Sequence, residues 1–372
     1  MISTIRGIDI LNDKALELRL EDGLVISVKD IALSDNLPFI LPGGLIDTQV
    51  NGFLGFDYSD PDLKEESIEM ISKSLLKEGT FQHFATIVTR PEEIILRNIE
   101  RILNARNRSE LVERCITGIH IEGNFISSVD GPRGAHDRRF VRCASIDEFD
   151  RWYEHSKGLL KCITVGAEVD GVVELIKHAV SCGVTVALGH TGACKKDIER
   201  AVEAGASVST HLGNGIWQSI DRFENPLWAQ MRNTNLTASV IADKCHVTPD
   251  LLWIISRCKE TDKTILVSDL APCAGLEKGR HKWGSLDVEI VDDLSVRLAG
   301  TPFLAGAGSC LFNDVFNYSE CTGISLQKAF KMATINPARQ YKLDLSRLRF
   351  EVGTRAEFIM FDNNAHIKCI YA

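Results

Sequence analysis

VTVALGHTGACKKDIERAVEAGASVSTHLG (184–213) sets two short β-rich apolar runs on either side of an amphipathic helical stretch. The runs are VTVALGHT (184–191) and SVSTHLG (207–213), and CKKDIERAVEAGA (194–206) between them has apolar residues at helical spacing. A strand–helix–strand series of this kind implies parallel strands joined by a crossover helix. The same unit recurs outward in both directions. Upstream are LPGGLIDTQV (41–50), FQHFATIV (81–88), CITGIHIEG (115–123) and KCITVGAE (161–168); downstream are TASVIAD (237–243) and TILVSDL (264–270). Helical patterns at 61–79 and 170–183 end on Gly, and TPDLLWIISRCK (248–259) opens with a Thr N-cap and a Pro at the first helical position. Eight such runs predict an α/β fold, a (β/α)8 TIM barrel, with a doubly wound open sheet as the structural alternative.

The two ends break the rhythm. Residues 1–38 read as short strands with turns, and 349–372 resume that pattern. The expectation is a small β-sandwich-like domain from both termini, 1–40 with 343–372, around a barrel spanning 41–342. A further β-like patch, 282–300, carries Asp292-Asp293 at a hairpin turn.

Composition narrows the function classes. The 372 residues are 44% hydrophobic and 25% charged, enough for a large core without a metal or disulfide staple. A net charge of −9 disfavours nucleic acid as a partner. The eleven cysteines form no CxxC pair, and Cys115, Cys162, Cys182, Cys245 and Cys258 fall in apolar stretches, as buried thiols of a reducing cytoplasm would. The first residues lack a signal-peptide pattern, and no apolar run approaches the roughly 18 residues of a membrane span. The expected location is cytoplasmic, with no membrane partner.

In such a barrel the chemistry sits at the C-terminal ends of the strands. The third strand closes on His120-Ile-Glu122, the fifth on His190, the sixth on His211, and the eighth on Asp269. One carboxylate and two imidazoles are a three-ligand set for a catalytic metal that keeps a position open for water. Asp269 can carry the proton from water to a leaving amine. Each residue alone has a plainer reading: a hydrogen-bonded structural His, a paired buried Glu, an Asp capping a helix. Their coincidence on one rim favours the metal site. His120 shares the Glu122 face but lies deeper, as a packing or ligand-supporting residue. His83 reads as core. His155, His178, His281 and His366 are expected on helix surfaces or in the terminal domain.

The ordered stretches PGGLIDTQVNG, HIEGNF, GAHD, ALGHTGA, STHLGN, IADKCHV, LVSDLAPCAG, LAGAGSC, KMATINPARQYKL and VGTRAEFIMFD resemble the amidohydrolase superfamily, and within it the N-acetylglucosamine-6-phosphate deacetylase family. The resemblance implies Glu122, His190 and His211 as metal ligands and Asp269 as general acid/base. It implies His246 as the residue polarising the acetyl carbonyl. His136, Asn214 and Gly213 fall at sugar- and phosphate-binding positions. It also implies a homodimer in which Arg222 reaches the neighbouring subunit's phosphate.

The chain departs from the family pattern in places. Gln49 and Asn51 stand where many amidohydrolases carry His-x-His, and the fourth strand ends on Glu168 rather than a lysine, so one metal is expected. Zinc suits the ligand set, with iron, cobalt or manganese as alternatives. Asn124, Asp137, Gly213, Gly215, Trp217 and Leu270 also differ, and are expected around the substrate. The resulting expectation is a hydrolase that removes the N-acetyl group of an amino-sugar 6-phosphate. The rivals are an amidohydrolase for another acetamido sugar or a cyclic amide, and a non-catalytic sugar-phosphate-binding protein.

Overall fold

The computed structural model describes every residue except Met1, Asp35, Ser285 and Asn363. Eight strands form one sheet in strict sequence order: Leu45–Val50, Thr80–Val88, Ile116–Glu122, Leu160–Val165, Thr185–Leu188, Val208–Ser209, Thr237–Val240 and Thr264–Leu266. Every neighbouring pair is parallel. The first strand meets the chain just past the regular end of the last. There Asp269 N–H donates to the Gln49 carbonyl at 3.0 Å and Asn51 N–H to that of Leu270 at 3.1 Å. This is the expected (β/α)8 barrel.

Strand periodicity explains its interior. Alternate residues of a strand share a face, so the inward positions rise in layers. The lowest is apolar, with Phe84, Cys162, Val208 and Ile265 packed together with Tyr341. Two residues further on, the layer turns polar. His120 Nε2 contacts Thr164 Oγ1 at 2.8 Å, and that hydroxyl meets Thr210 Oγ1 at 2.9 Å. One step higher stands Glu122, with His190 and His211 just past the ends of their strands. Outside, helices such as Glu65–Lys77, Glu92–Arg108 and Val172–Ser181 bury Ile68, Ile71, Ile95, Ile99 and Leu175 against the sheet. Thr248 caps its helix as expected, accepting from Leu251 N–H at 3.4 Å, with Pro249 at the first helical position.

Both termini build one six-stranded mixed sheet, in the order Ile367–Tyr371, Phe358–Phe361, Phe39–Pro42, Ile2–Asp9, Lys14–Glu21, Leu24–Asp30. The patch after the eighth strand is a separate antiparallel sheet of Gly279–Trp283, Leu286–Ile290 and Val296–Leu298, turning at Asp292-Asp293. His281 therefore lies on this sheet, not on a helix or in the terminal sheet. The cysteine expectation needs a similar correction. Cys115 and Cys162 are buried, Cys182 and Cys245 are half-buried, and Cys258 is exposed on the outer face of its helix. No helix is long and apolar enough to cross a membrane among the described residues.

Candidate metal centre and its cavity

The strand ends converge as the barrel rule requires. Nε2 of His211 lies 3.1 Å from Glu122 Oε1 and 3.1 Å from Nε2 of His190, and His190 Nε2 is 3.6 Å from the same carboxylate oxygen. All three side chains are buried. Burial alone would raise the Glu122 carboxyl, but hydrogen bonds from His190 and His211 hold it well below its usual range. Burial pushes His211 down, and the Glu122 bond and charge more than reverse this, leaving it raised.

The surrounding groups aim these atoms inward. His190 Nδ1 faces the Pro132 carbonyl at 3.0 Å, which fixes the ring so that Nε2 points at the centre. Gln49 Nε2 donates to Glu122 Oε1 at 2.9 Å. Glu168 accepts from Thr191 Oγ1 and, at 2.7 Å, from Gly192 N–H, tying down the loop that carries His190. His190, His211 and Asp269 have φ of 48°, 32° and 54°. Non-glycine residues seldom adopt that region, and each such position costs on the order of 1–3 kcal/mol. All three fall where a strand must turn sharply to present a side chain over the barrel mouth.

His136 joins the cluster. Its Nε2 is 3.1 Å from His190 Nε2, and its Nδ1 is 2.8 Å from Thr89 Oγ1. Glu122, His136 and His190 likewise offer atoms all within 4.8 Å of one another. Burial and the neighbouring His190 hold His136 well below its usual range, so it is neutral. Gly123 makes room for it: a Cβ there, at φ of 117°, would lie 2.1 Å from Thr89 Oγ1 and 2.9 Å from His136 Nδ1. Several imidazole nitrogens facing one another beside a carboxylate cannot all be satisfied by protons. A divalent cation resolves that convergence, so the donor set fits a metal.

Asp269 faces the same cavity, and Asn51 Nδ2 donates to its Oδ1 at 2.9 Å. Burial, reinforced by the charge on Glu122, raises its carboxyl to about 6. His246 lines the cavity too. Its Nδ1 lies 2.7 Å from Asp243 Oδ2, while Asp243 Oδ1 accepts the backbone N–H groups of Cys245 and His246 at 2.9 and 2.8 Å. Burial would raise Asp243, but the His246 bond holds it below the usual range. The Asp243–His246 pair was not foreseen, although both lie in one short turn after the seventh strand.

The cavity is about 840 Å³. Asn214 lines it, with Nδ2 donating to the His211 carbonyl at 3.2 Å. Gly213 does not: a Cβ there would meet only Leu251 and Val247. Arg222 is exposed outside the cavity, its guanidinium 4.6 Å from the Phe223 ring centre. Of the departures expected around the substrate, only Asp137 and Gly215 line the cavity. Asn124 is buried beneath the loop, donating to the Arg90 carbonyl, and Leu270 packs in the core. Trp217 lies over Gly131 and Gly192. His120 is buried below the centre and lowered to about 4 by burial, and His83 is buried against the Tyr58 hydroxyl. His155, His178 and His366 lie away from the cavity.

The sequence pattern of the amidohydrolase family matches residues 39–371. N-acetylglucosamine-6-phosphate deacetylase of Bos taurus is 30% identical over 341 residues, covering 89% of this chain and 82% of that protein. N-acetylgalactosamine-6-phosphate deacetylase of Escherichia coli O157:H7 is 26% identical over 359 residues, covering 95% and 93%. A structure of N-acetyl-D-glucosamine-6-phosphate deacetylase from Mycobacterium smegmatis, a mutant in complex with N-acetyl-D-glucosamine-6-phosphate, superposes with a TM-score of 0.87. It is 26% identical, with 100% of this chain and 97% of that one covered. The chain belongs to the amidohydrolase family, in company with its N-acetylglucosamine-6-phosphate deacetylases.

Proposed function

We propose that this enzyme hydrolyses the N-acetyl group of an amino-sugar 6-phosphate, releasing acetate and the free amine. The observation that carries the reading is the Glu122–His190–His211 convergence with Asp269 facing the same cavity. One divalent ion, zinc by preference and iron, cobalt or manganese otherwise, would be held by these three ligands. Bound there, it would acidify water and polarise the amide carbonyl.

The chain's own groups do the rest. Asp269, raised to about 6 by burial, is ionised at neutral pH yet basic enough to take a proton from attacking water. Its carboxyl then returns that proton to the amine nitrogen, which is too basic to leave as an anion. His246, with Nδ1 turned to Asp243, has Nε2 left for the carbonyl oxygen as negative charge builds there. Asn51 keeps the Asp269 carboxylate turned toward the cavity. His136 and Asn214 are assigned to the sugar and its phosphate, and His136 also packs against His190. Arg222 lies outside its own chain's cavity, which agrees with a homodimer in which it serves the neighbouring site.

Acetate release from the 6-phosphates of N-acetylglucosamine and N-acetylgalactosamine, and from the unphosphorylated sugars, tests this directly. The expected result is turnover of a 6-phosphate by metal-loaded protein, with Arg222→Ala raising KM for phosphorylated substrates alone. No acetate from any member of the panel would overturn the reading. Turnover of only the galacto sugar would move the assignment to the epimer named for the Escherichia coli relative.

A further inference from the structure

One buried carboxylate on the first strand takes no part in the proton transfer. Asp47 lies two residues before Gln49, and burial raises its carboxyl to about 7. Its hydrogen bonds run to the chain that carries Asp269. The pairing of the first strand with the second shifts register between Asp47 and Val50, and there Asp47 Oδ1 accepts the Gln49 N–H at 3.3 Å. The same oxygen accepts the Ser268 N–H at 3.2 Å, while Oδ2 accepts the Ser268 hydroxyl. Ser268 Oγ in turn accepts the Leu270 N–H at 3.3 Å.

Asp269 sits between those two residues. Its φ of 54° belongs to a region that a non-glycine residue keeps only where its surroundings over-determine it. The Asp269 N–H is taken by the Gln49 carbonyl at 3.0 Å, and its carbonyl by the Ala307 N–H at 2.8 Å. The Asp47–Ser268 link clamps the residues on either side, and Asp47 also fixes Gln49, whose side-chain amide serves Glu122. We infer that Asp47 is a positioning residue for the hydrolysis, holding through Ser268 the backbone turn that aims Asp269 into the cavity. The inference rests on the proposed role of Asp269 as proton carrier. A contact that merely closed the barrel would add stability and leave turnover per folded chain unchanged. A positioning contact shows in kcat, because a displacement on the order of 1 Å can cost about 10²-fold.

Asparagine at this position keeps the shape, an oxygen for the two N–H groups and a donor for the hydroxyl, whereas leucine keeps the volume and none of the bonds. The test is acetate release by metal-loaded wild type, Asp47→Leu, Asp47→Asn, Ser268→Ala and the Asp47→Leu/Ser268→Ala double variant, on the 6-phosphate that the wild type turns over. Asp47→Leu should lower kcat about 10–100-fold, with KM and metal content per chain unchanged. Ser268→Ala should lower it by less, and Asp47→Asn should stay near wild type. The double variant should be no slower than Asp47→Leu, since both changes cut one link. Full kcat in Ser268→Ala, an Asp47→Asn variant as slow as Asp47→Leu, or losses that multiply in the double variant would overturn the positioning role and leave the deacetylase reading intact. Should Asp47→Leu fail to fold, Ser268→Ala alone decides: a lowered kcat with unchanged KM supports the role, and full kcat overturns it. No turnover by the wild type would overturn both readings.

Discussion

The two halves of the barrel mouth are built by different rules. Over the third, fifth and sixth strands, polar side chains are buried, interlocked and carried on a backbone that turns sharply at His190 and His211. Over the eighth, first and second strands, an inserted sheet and two loops present an apolar wall held by ordinary packing and one indole bond. The first half holds the proposed metal ligands Glu122, His190 and His211. The strand ends that present the reacting groups are fixed by buried polar contacts and a sharply turned backbone, whereas the wall is fixed by packing and one indole bond.

Asp269 stands at the seam, on the eighth strand but facing the metal centre, and its loss should have the largest effect. Asp269→Asn keeps the shape and the Asn51 contact but removes the proton carrier. The expected fall in kcat is on the order of 10²–10⁴-fold, with metal content per chain unchanged. Full turnover would remove Asp269 from the mechanism. The same residue sets a pH dependence. The base must be ionised, so kcat/KM should fall as pH drops through an acid limb at or below about 6, because a bound cation adds to the pull on the carboxylate. A limb well above that value would assign the ionisation to another group.

Gln49 tests the polar half at smaller scale. Its amide donates to Glu122 Oε1, and removing such a partner typically weakens metal affinity about 10–100-fold. Gln49→Leu should show this in chelator competition, with the fold intact by circular dichroism. Unchanged affinity would mean that the imidazoles alone hold the carboxylate in place.

The two halves were unequally legible in the sequence. Glu122, His190, His211 and Asp269 could be found because strand ends in a barrel share one rim, and period-two alternation orders the layers beneath them. Gln49 and Asn51 read as supporting or vestigial metal positions, and they hydrogen-bond Glu122 and Asp269. His136 falls at a sugar position through the family resemblance alone, and the loop from 123 to 137 has no period from which its contact with His190 could be deduced. The Asp243–His246 pair had a signal, two polar residues three apart after the seventh strand, but only the folded turn shows that one orients the other. The apolar wall had none. Leu298 and Trp283 read as ordinary strand residues, and their common face depends on where the inserted sheet docks.

That docking is the smallest effect to measure, and it bears on the comparison directly. Trp283 donates to Asp57 Oδ2, while Oδ1 keeps the Ser59 N–H at 2.7 Å and Arg90 stays 3.7 Å away. Trp283→Phe therefore removes one of several partners, and about 1.5–3 kcal/mol is the expected range for a hydrogen bond to a charged group. Burial raises the Asp57 carboxyl to about 6, so the protonated form is favoured below that pH and the ionised form above it. The indole N–H stabilises the ionised form. The loss in stability should appear above about pH 6 and shrink as pH falls through it, read as the difference in denaturation midpoint between wild type and variant. A pH-independent loss would mean that the indole acts by packing alone. The wall would then be held as the core is, with no polar link between the inserted sheet and the loop after the first strand.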